Sequence, residues 1–126
     1  MHGLPAFTHG LRRYAGKGVE GIDVAGAEDK PLFKKHPYLR HYFRACRARN
    51  QETTCHCGET FNPWTEEELA YILETLRPKR LGHGIQLHRF PALMKIASNQ
   101  GTELEICISS NFATRVVQTK REFARY

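Results

Sequence analysis

The sequence contains no long apolar run and no leader that passes from charged to apolar residues. Its longest uncharged apolar stretch is far too short to cross a bilayer. Residues 1–9 lack the order of a secretory signal. We therefore expect a cytoplasmic protein with no membrane partner.

The four cysteines show no Cys-x-x-Cys spacing, which argues against common zinc and redox motifs. Cys55 and Cys57 lie two residues apart in a β-prone run, where the Cα atoms are too constrained for an ordinary disulfide. Alternation along a strand would turn both away from His56. We predict reduced, packed thiols that share no metal with that histidine.

The net charge of +6 raises the question of nucleic acid. The basic residues are spread along the chain, and no recognisable module or interleaved aromatic pattern accompanies them. This distribution favours a solvated helix face over a nucleic-acid patch, and we expect no nucleic-acid partner.

With 126 residues and 40% hydrophobic composition, the chain has the size of one domain with a modest core.

Periodicity predicts an alternation of strands and helices along most of the chain. Alternating or β-prone runs predict strands over 19–24, 52–58, 80–83 and 104–109. Apolar residues at steps of three and four predict helices over 38–50, 65–77 and 90–100. Thr65 and Glu68 have the spacing of a capping box, and Gly101 is expected to end the last helix.

The predicted strands end near Asp23, His56, His83 and Ser109, at intervals of 26 to 33 residues. Such spacing is typical of a βα repeat. A complete eightfold barrel takes about 250 residues, so this chain amounts to half of one. We predict an α/β fold, a partial (β/α)8 TIM-type barrel of about four parallel strands with crossover helices. Its open inner face and bare edges predict either truncation or self-association through those edges.

Parallel strands would bring His56, Glu59 and His83 to one edge of the sheet. An inward His56 could present a ring nitrogen to a metal, and Glu59 would overhang the same position. Gly82 and Gly84 flank His83, as expected if backbone and ring approach a ligand. Either histidine alone could be a hydrogen-bonded structural residue, but the two motifs together favour a site.

Four motifs resemble those of the adenosine deaminase family, a metal-dependent branch of the amidohydrolase-type barrels. They are Gly-Ile-Asp-Val-Ala-Gly-Ala-Glu at 21–28, His-Cys-Gly-Glu at 56–59, Arg-Leu-Gly-His-Gly at 80–84 and Leu-Glu-Ile-Cys-Ile-Ser-Ser-Asn at 104–111. Their order and spacing match the family over about residues 18–111. The resemblance implies a zinc enzyme that replaces the 6-amino group of a small-molecule purine nucleoside with oxygen and releases ammonia.

The resemblance also implies a role for each matching residue. His56 resembles a zinc ligand, and Glu59 resembles the proton donor to the purine ring. His83 resembles the histidine that orients and helps activate the zinc-bound water, whose pKa zinc lowers to roughly 7. Gly26 resembles the glycine whose backbone contacts the base. Asp23 is expected to brace the site through hydrogen bonds.

The chain also departs from the family pattern. It has no His-x-His pair, and no aspartate follows Asp29, so at most one of the family's four zinc ligands is present. The resemblance therefore implies strands four to seven of the barrel, a single partial domain over 1–126. We predict that the chain alone is inactive and holds no stoichiometric zinc. Two alternatives stay open: a related deaminase of adenine, a nucleotide or an N6-modified purine, and a catalytically inactive half-barrel used for binding or assembly.

Overall fold

A computed structural model describes residue 18 and residues 20–123 of the protein. Val19, where the first strand was predicted to begin, lies outside the described residues. None of the helices in this part of the chain has both the length and the apolarity needed to cross a bilayer.

Strands and helices alternate along the described chain. The strands are β1 (Gly21–Val24), β2 (Glu52–Cys57), β3 (Arg80–His83) and β4 (Glu103–Glu105). The α-helices are α1 (Leu39–Ala48), α2 (Thr65–Tyr71), α3 (Pro91–Gln100), α4 (Ile108–Ala113) and α5 (Lys120–Phe123). A π-helical segment, Ile72–Leu76, continues α2, and a 3-10 helix, Ile85–Arg89, precedes α3.

The strands form one parallel sheet in the order β1-β2-β3-β4. Asp23 lies opposite Thr54, and His56 lies opposite Gly82. The predicted α/β pattern of a partial TIM-type barrel is therefore confirmed. Because all strands run in the same direction, their carboxyl ends, and the loops that follow them, meet along one edge.

The two faces of β2 differ in chemistry, as strand alternation requires. Cys55 and Cys57 are buried in the hydrophobic core, where they join Phe43 of α1 and Leu69 of α2. Neither cysteine forms a disulfide, and burial raises the pKa of both thiols. All four cysteines are free thiols, and the prediction that they are packed holds for the buried Cys46, Cys55 and Cys57 but not for the half-buried Cys107.

The opposite face of the sheet carries polar side chains. The Arg80 guanidinium lies 3.1 Å from the Glu105 carboxylate and donates to the Thr54 hydroxyl at 3.3 Å. These groups line an open cavity of about 500 Å³ together with Asp23 and Glu52. The candidate site lies on this polar side, towards the carboxyl ends of the strands.

The predicted capping box at Thr65 and Glu68 is wrong. Trp64 is the N-cap of α2 and makes no side-chain cap, and the Thr65 hydroxyl accepts from the Asn62 N–H at 2.7 Å. The Glu68 carboxylate instead accepts the backbone N–H groups of residues 32–34 at 2.6 to 3.0 Å. Three successive backbone donors of a partly buried loop, centred on the buried Phe33, take this carboxylate in place of the local cap.

The fourth strand is shorter than predicted. Pairing with β3 ends at Glu105, and α4 begins at Ile108, so Ser109 lies in a helix rather than at a strand end. Among the described residues β4 pairs on one side only, which leaves Ile106 and Ile108 39% and 52% exposed.

The predicted end of α3 is confirmed, since Gly101 has a φ of +71°.

Candidate active site

The four residues proposed from the sequence line one cleft at the carboxyl edge of the sheet. Gly26 follows β1, His56 and Glu59 lie at and after the end of β2, and His83 ends β3. All four border a cleft of about 410 Å³. Residues that are up to 57 positions apart in sequence are therefore brought together by parallel pairing.

The His56 ring is fixed by contacts on two sides. Its Nε2 lies 3.2 Å from Oδ2 of Asp23, the carboxylate that was expected to brace the site. A β-carbon added to Gly82, its partner on β3, would lie 2.6 Å from Nδ1. The close approach at Gly82 is thus made by the His56 ring, which leaves room there for glycine only.

His83 reaches the cleft because its backbone leaves the extended conformation. Leu81 is fully buried in the core, and regular alternation would send His83 to the same face. Instead His83 has a φ of +62°, and Gly84 follows with a φ of +64°. This is uncommon for a residue other than glycine and is typical of functional sites.

The imidazole rings of His56 and His83 are in edge-to-face contact at the cleft. Their centroids are 5.5 Å apart and their planes cross at 72°. His83 Nδ1 is buried and has no hydrogen-bond partner among the described residues. Such an orphaned ring nitrogen is costly unless another group completes the site.

The Glu59 carboxylate lies between His83 and Thr114. Its Oε2 is 3.7 Å from His83 Nε2, and its Oε1 accepts from the Thr114 hydroxyl at 2.9 Å. The Glu59 side chain is 20% exposed, so it is accessible from the cleft but held by neighbours. This geometry places a carboxyl group and an imidazole within reach of one small substrate.

Two residues that the sequence did not single out support the loop that carries Glu59. The Glu28 carboxylate accepts the N–H of Glu59 at 3.1 Å, and both the N–H and the hydroxyl of Thr60 at 2.7 Å. The Gln86 side chain donates to the Glu59 carbonyl at 3.2 Å. Glu28 is the last residue of the motif at 21–28, and this place in a motif is the one sequence feature that points to it. Gln86 and Thr114 lie in stretches without a distinctive pattern.

The described residues do not complete a zinc site. They contain no group of three or more His, Cys, Asp or Glu side chains that could hold a metal ion. His56 and Asp23 form only a pair at the cleft, and Cys55 and Cys57 lie in the core. Zinc requires at least three protein ligands, so further donors would have to come from elsewhere.

Comparison with known proteins identifies the family of this arrangement. A family model described as adenosine deaminase matches residues 6–124. The chain belongs to the adenosine deaminase family. The expected resemblance is thereby confirmed over nearly the whole chain.

Individual relatives within the adenosine deaminase family show the same relationship. The chain is 33% identical to the adenosine deaminase of Serratia proteamaculans over 79% of its own length and 28% of that protein. It is 34% identical to the adenosine deaminase of Mycobacterium leprae over 87% of its length and 32% of that protein. It is 33% identical to the aminodeoxyfutalosine deaminase of Streptomyces coelicolor over 82% of its own length and 26% of that protein. The chain spans about a third or less of the relatives it matches.

Proposed function

We propose that this chain is part of a zinc-dependent deaminase that acts on a purine nucleoside of the adenosine type. The reaction replaces the 6-amino group with oxygen from water and gives an inosine-type product and ammonia. The observation that carries the proposal is the convergence of Gly26, His56, Glu59 and His83 on one cleft. Membership in a family of deaminases supports it.

In the proposed reaction, Glu59 and His83 each carry a proton at a different stage. Protonated Glu59 donates to a ring nitrogen of the purine as water oxygen adds to C6. His83, whose Nε2 lies 3.7 Å from Glu59, orients the water and takes up its proton. His83 then returns that proton to the amino group, the C6–N bond breaks and ammonia leaves, while the proton of the C6 hydroxyl passes to Glu59, so the 6-oxo product forms and both side chains regain their starting protonation. The backbone of Gly26 contacts the base on the opposite wall of the cleft.

We propose that His56 supplies one zinc ligand and that the remaining ligands lie outside the described residues. Asp23 lies 3.2 Å from Nε2 of His56, and carboxylates commonly accept from the nitrogen of a metal-binding histidine that does not hold the metal, so Nδ1 would be the donor to zinc while Asp23 orients the ring. Bound zinc supplies Lewis acidity and an acidified water. Alone, the chain is expected to be inactive, without stoichiometric zinc.

We also propose a cytoplasmic location, supported by four cysteines without disulfides.

Two measurements test the proposed activity. The chain alone, with excess zinc, should release no ammonia from adenosine, and metal analysis should find no tight zinc. A longer product, if the reading frame extends to a His-x-His upstream and an Asp-Asp downstream, should deaminate adenosine and lose activity in His56→Ala and Glu59→Gln. One tight zinc per chain, lost in His56→Ala, would contradict the fragment proposal. A folded longer product that deaminates no purine would contradict the proposed reaction.

The substrate is tested with a panel of purines. Adenosine is the proposed substrate, and adenine, a nucleotide and an N6-modified purine are the alternatives. One relative of equal identity is an aminodeoxyfutalosine deaminase, so aminodeoxyfutalosine belongs in the same panel. Comparison of kcat/KM across the panel identifies the substrate, and a preference for any compound other than adenosine would replace the proposed one.

An assembly module is the second candidate function. Leu104 at β4 is 40% exposed, and Ile106 and Ile108 beyond it are also exposed, so an apolar surface borders an edge strand. Self-association through the open edges would cover this surface. Gel filtration with hydrogen exchange should then give a defined oligomer with protected β4 amides. A monomer or aggregate with rapidly exchanging β4 amides would contradict the module.

A further inference from the structure

We propose that Glu28 is a positioning residue that holds the Glu59 carboxyl group in place by joining the loop after β1 to the loop after β2. The inference rests on the proposed function, because it concerns the group assigned as proton donor. Glu28 itself has no assigned chemical role. It lies two residues beyond Gly26, so one short segment carries a candidate base contact and this carboxylate.

Both carboxylate oxygens of Glu28 and its backbone carbonyl accept hydrogen bonds from the loop after β2. One carboxylate oxygen accepts the Glu59 N–H at 3.1 Å, and the other accepts the N–H and hydroxyl of Thr60, both at 2.7 Å. The Glu28 carbonyl accepts from the Asn62 side chain at 2.9 Å. Glu28 therefore bonds to three nearby positions of the second loop from both its side chain and its backbone.

These bonds bear on the orientation of Glu59 because they hold the backbone from which its side chain projects. The Gln86 carboxamide holds the Glu59 carbonyl, and the Thr114 hydroxyl holds Oε1. Of the two side-chain contacts to the Glu59 backbone described above, the one from Glu28 is made by a carboxylate and the one from Gln86 by a neutral amide. Hydrogen bonds to charged groups are roughly twice as strong as those between neutral groups.

The test uses NMR of the 126-residue chain and needs neither zinc nor substrate. In the wild type, cross-relaxation between the Glu59 side chain and the Thr114 methyl group should report their contact. In Glu28→Gln this signal should be lost, and the amides of Glu59 and Thr60 should exchange at least about tenfold faster. Glu66→Gln, an exposed glutamate in α2, is the matched control and should change neither.

The outcome separates positioning from a role in loop stability alone. Faster exchange together with an unchanged Glu59–Thr114 signal would overturn the proposal, and so would an unchanged exchange rate. Protected amides at Cys55 and Leu81 verify that the sheet is intact.

If Glu28→Gln loses the protection of the sheet, Thr60→Val takes its place. It removes the hydroxyl donor to Glu28 without changing charge, and it should weaken the same signal. An unchanged signal in that variant would overturn the proposal. Because no step depends on turnover, failure of the deaminase assay leaves this result standing, and failure here leaves the proposed reaction standing.

Discussion

Replacing Gly82 with alanine tests the packing that fixes the His56 ring. The added β-carbon would lie 2.6, 2.7 and 2.8 Å from Nδ1, Cγ and Cε1 of His56. Ordinary contacts between such atoms need about 3.5 Å or more, so the ring must move by roughly 1 Å. It would retreat from its 3.2 Å contact with Asp23 or force β2 and β3 apart.

The magnitude follows from two opposing effects. Overpacking a well-filled position costs about 1 to 3 kcal/mol. Alanine also restricts the unfolded chain more than glycine does, which returns about 0.4 to 1 kcal/mol, and Gly82 has no positive φ that would strain alanine. We expect a net loss of about 1.3 kcal/mol in the free energy of unfolding, within a range of about 0 to 2.6 kcal/mol.

Urea unfolding of a double-mutant cycle isolates the clash. In a His56→Ala background the ring is absent, so Gly82→Ala should be neutral or slightly stabilising. The coupling free energy between the two positions should be about 1 to 3 kcal/mol. Equal destabilisation by Gly82→Ala in both backgrounds would refute the account, because the cost would then not come from the His56 ring. An unchanged m-value would verify that the unfolding transition is comparable.

Further predictions concern the buried groups around the site. Glu68→Ala leaves the three N–H groups of residues 32–34 without their acceptor and should cost about 3 kcal/mol, with Glu68→Gln costing less, measured by thermal unfolding. Equal melting temperatures of wild type and Glu68→Ala would contradict this. Because burial raises the pKa of Cys55 and Cys57, neither should form reactive thiolate at pH 9, and iodoacetamide should label Cys107 first. Mass spectrometry with and without urea checks this order, and early labelling of Cys55 would contradict it.

Several features of the fold follow from local sequence. The strand over 52–57 and the helix that ends at Gly101 are encoded by residues close to one another, through alternation and a left-handed cap. The convergence of His56 and His83 also follows, because parallel strands joined by crossovers must end at one edge. Strand position predicts that His56, Glu59 and His83 lie close together, whereas Gly26 was added by the family resemblance.

Other features depended on contacts between distant residues. Glu68 has the spacing of a cap but bonds to a loop about 35 positions earlier, and no local rule chooses between the two. β4 ends at Glu105, and the chain then forms the local hydrogen bonds of α4 from Ile108 instead of continuing the pairing with β3. The distant partner wins for Glu68 and the local helix wins after β4, and a local sequence pattern does not show which of the two will prevail.

The sequence by itself determined which residue types are present and in what order: two histidines near the ends of strands, and a glycine and a glutamate in the loops that follow strands. Tertiary structure decided how they are held. The left-handed backbone of His83, the His56 ring over Gly82 and the Glu28 carboxylate under Glu59 all join residues from neighbouring strands or their loops. The physical reason is that alternation and helical period are set by covalent neighbours, whereas the direction of a side chain in the cleft is set by packing and hydrogen bonds across the sheet.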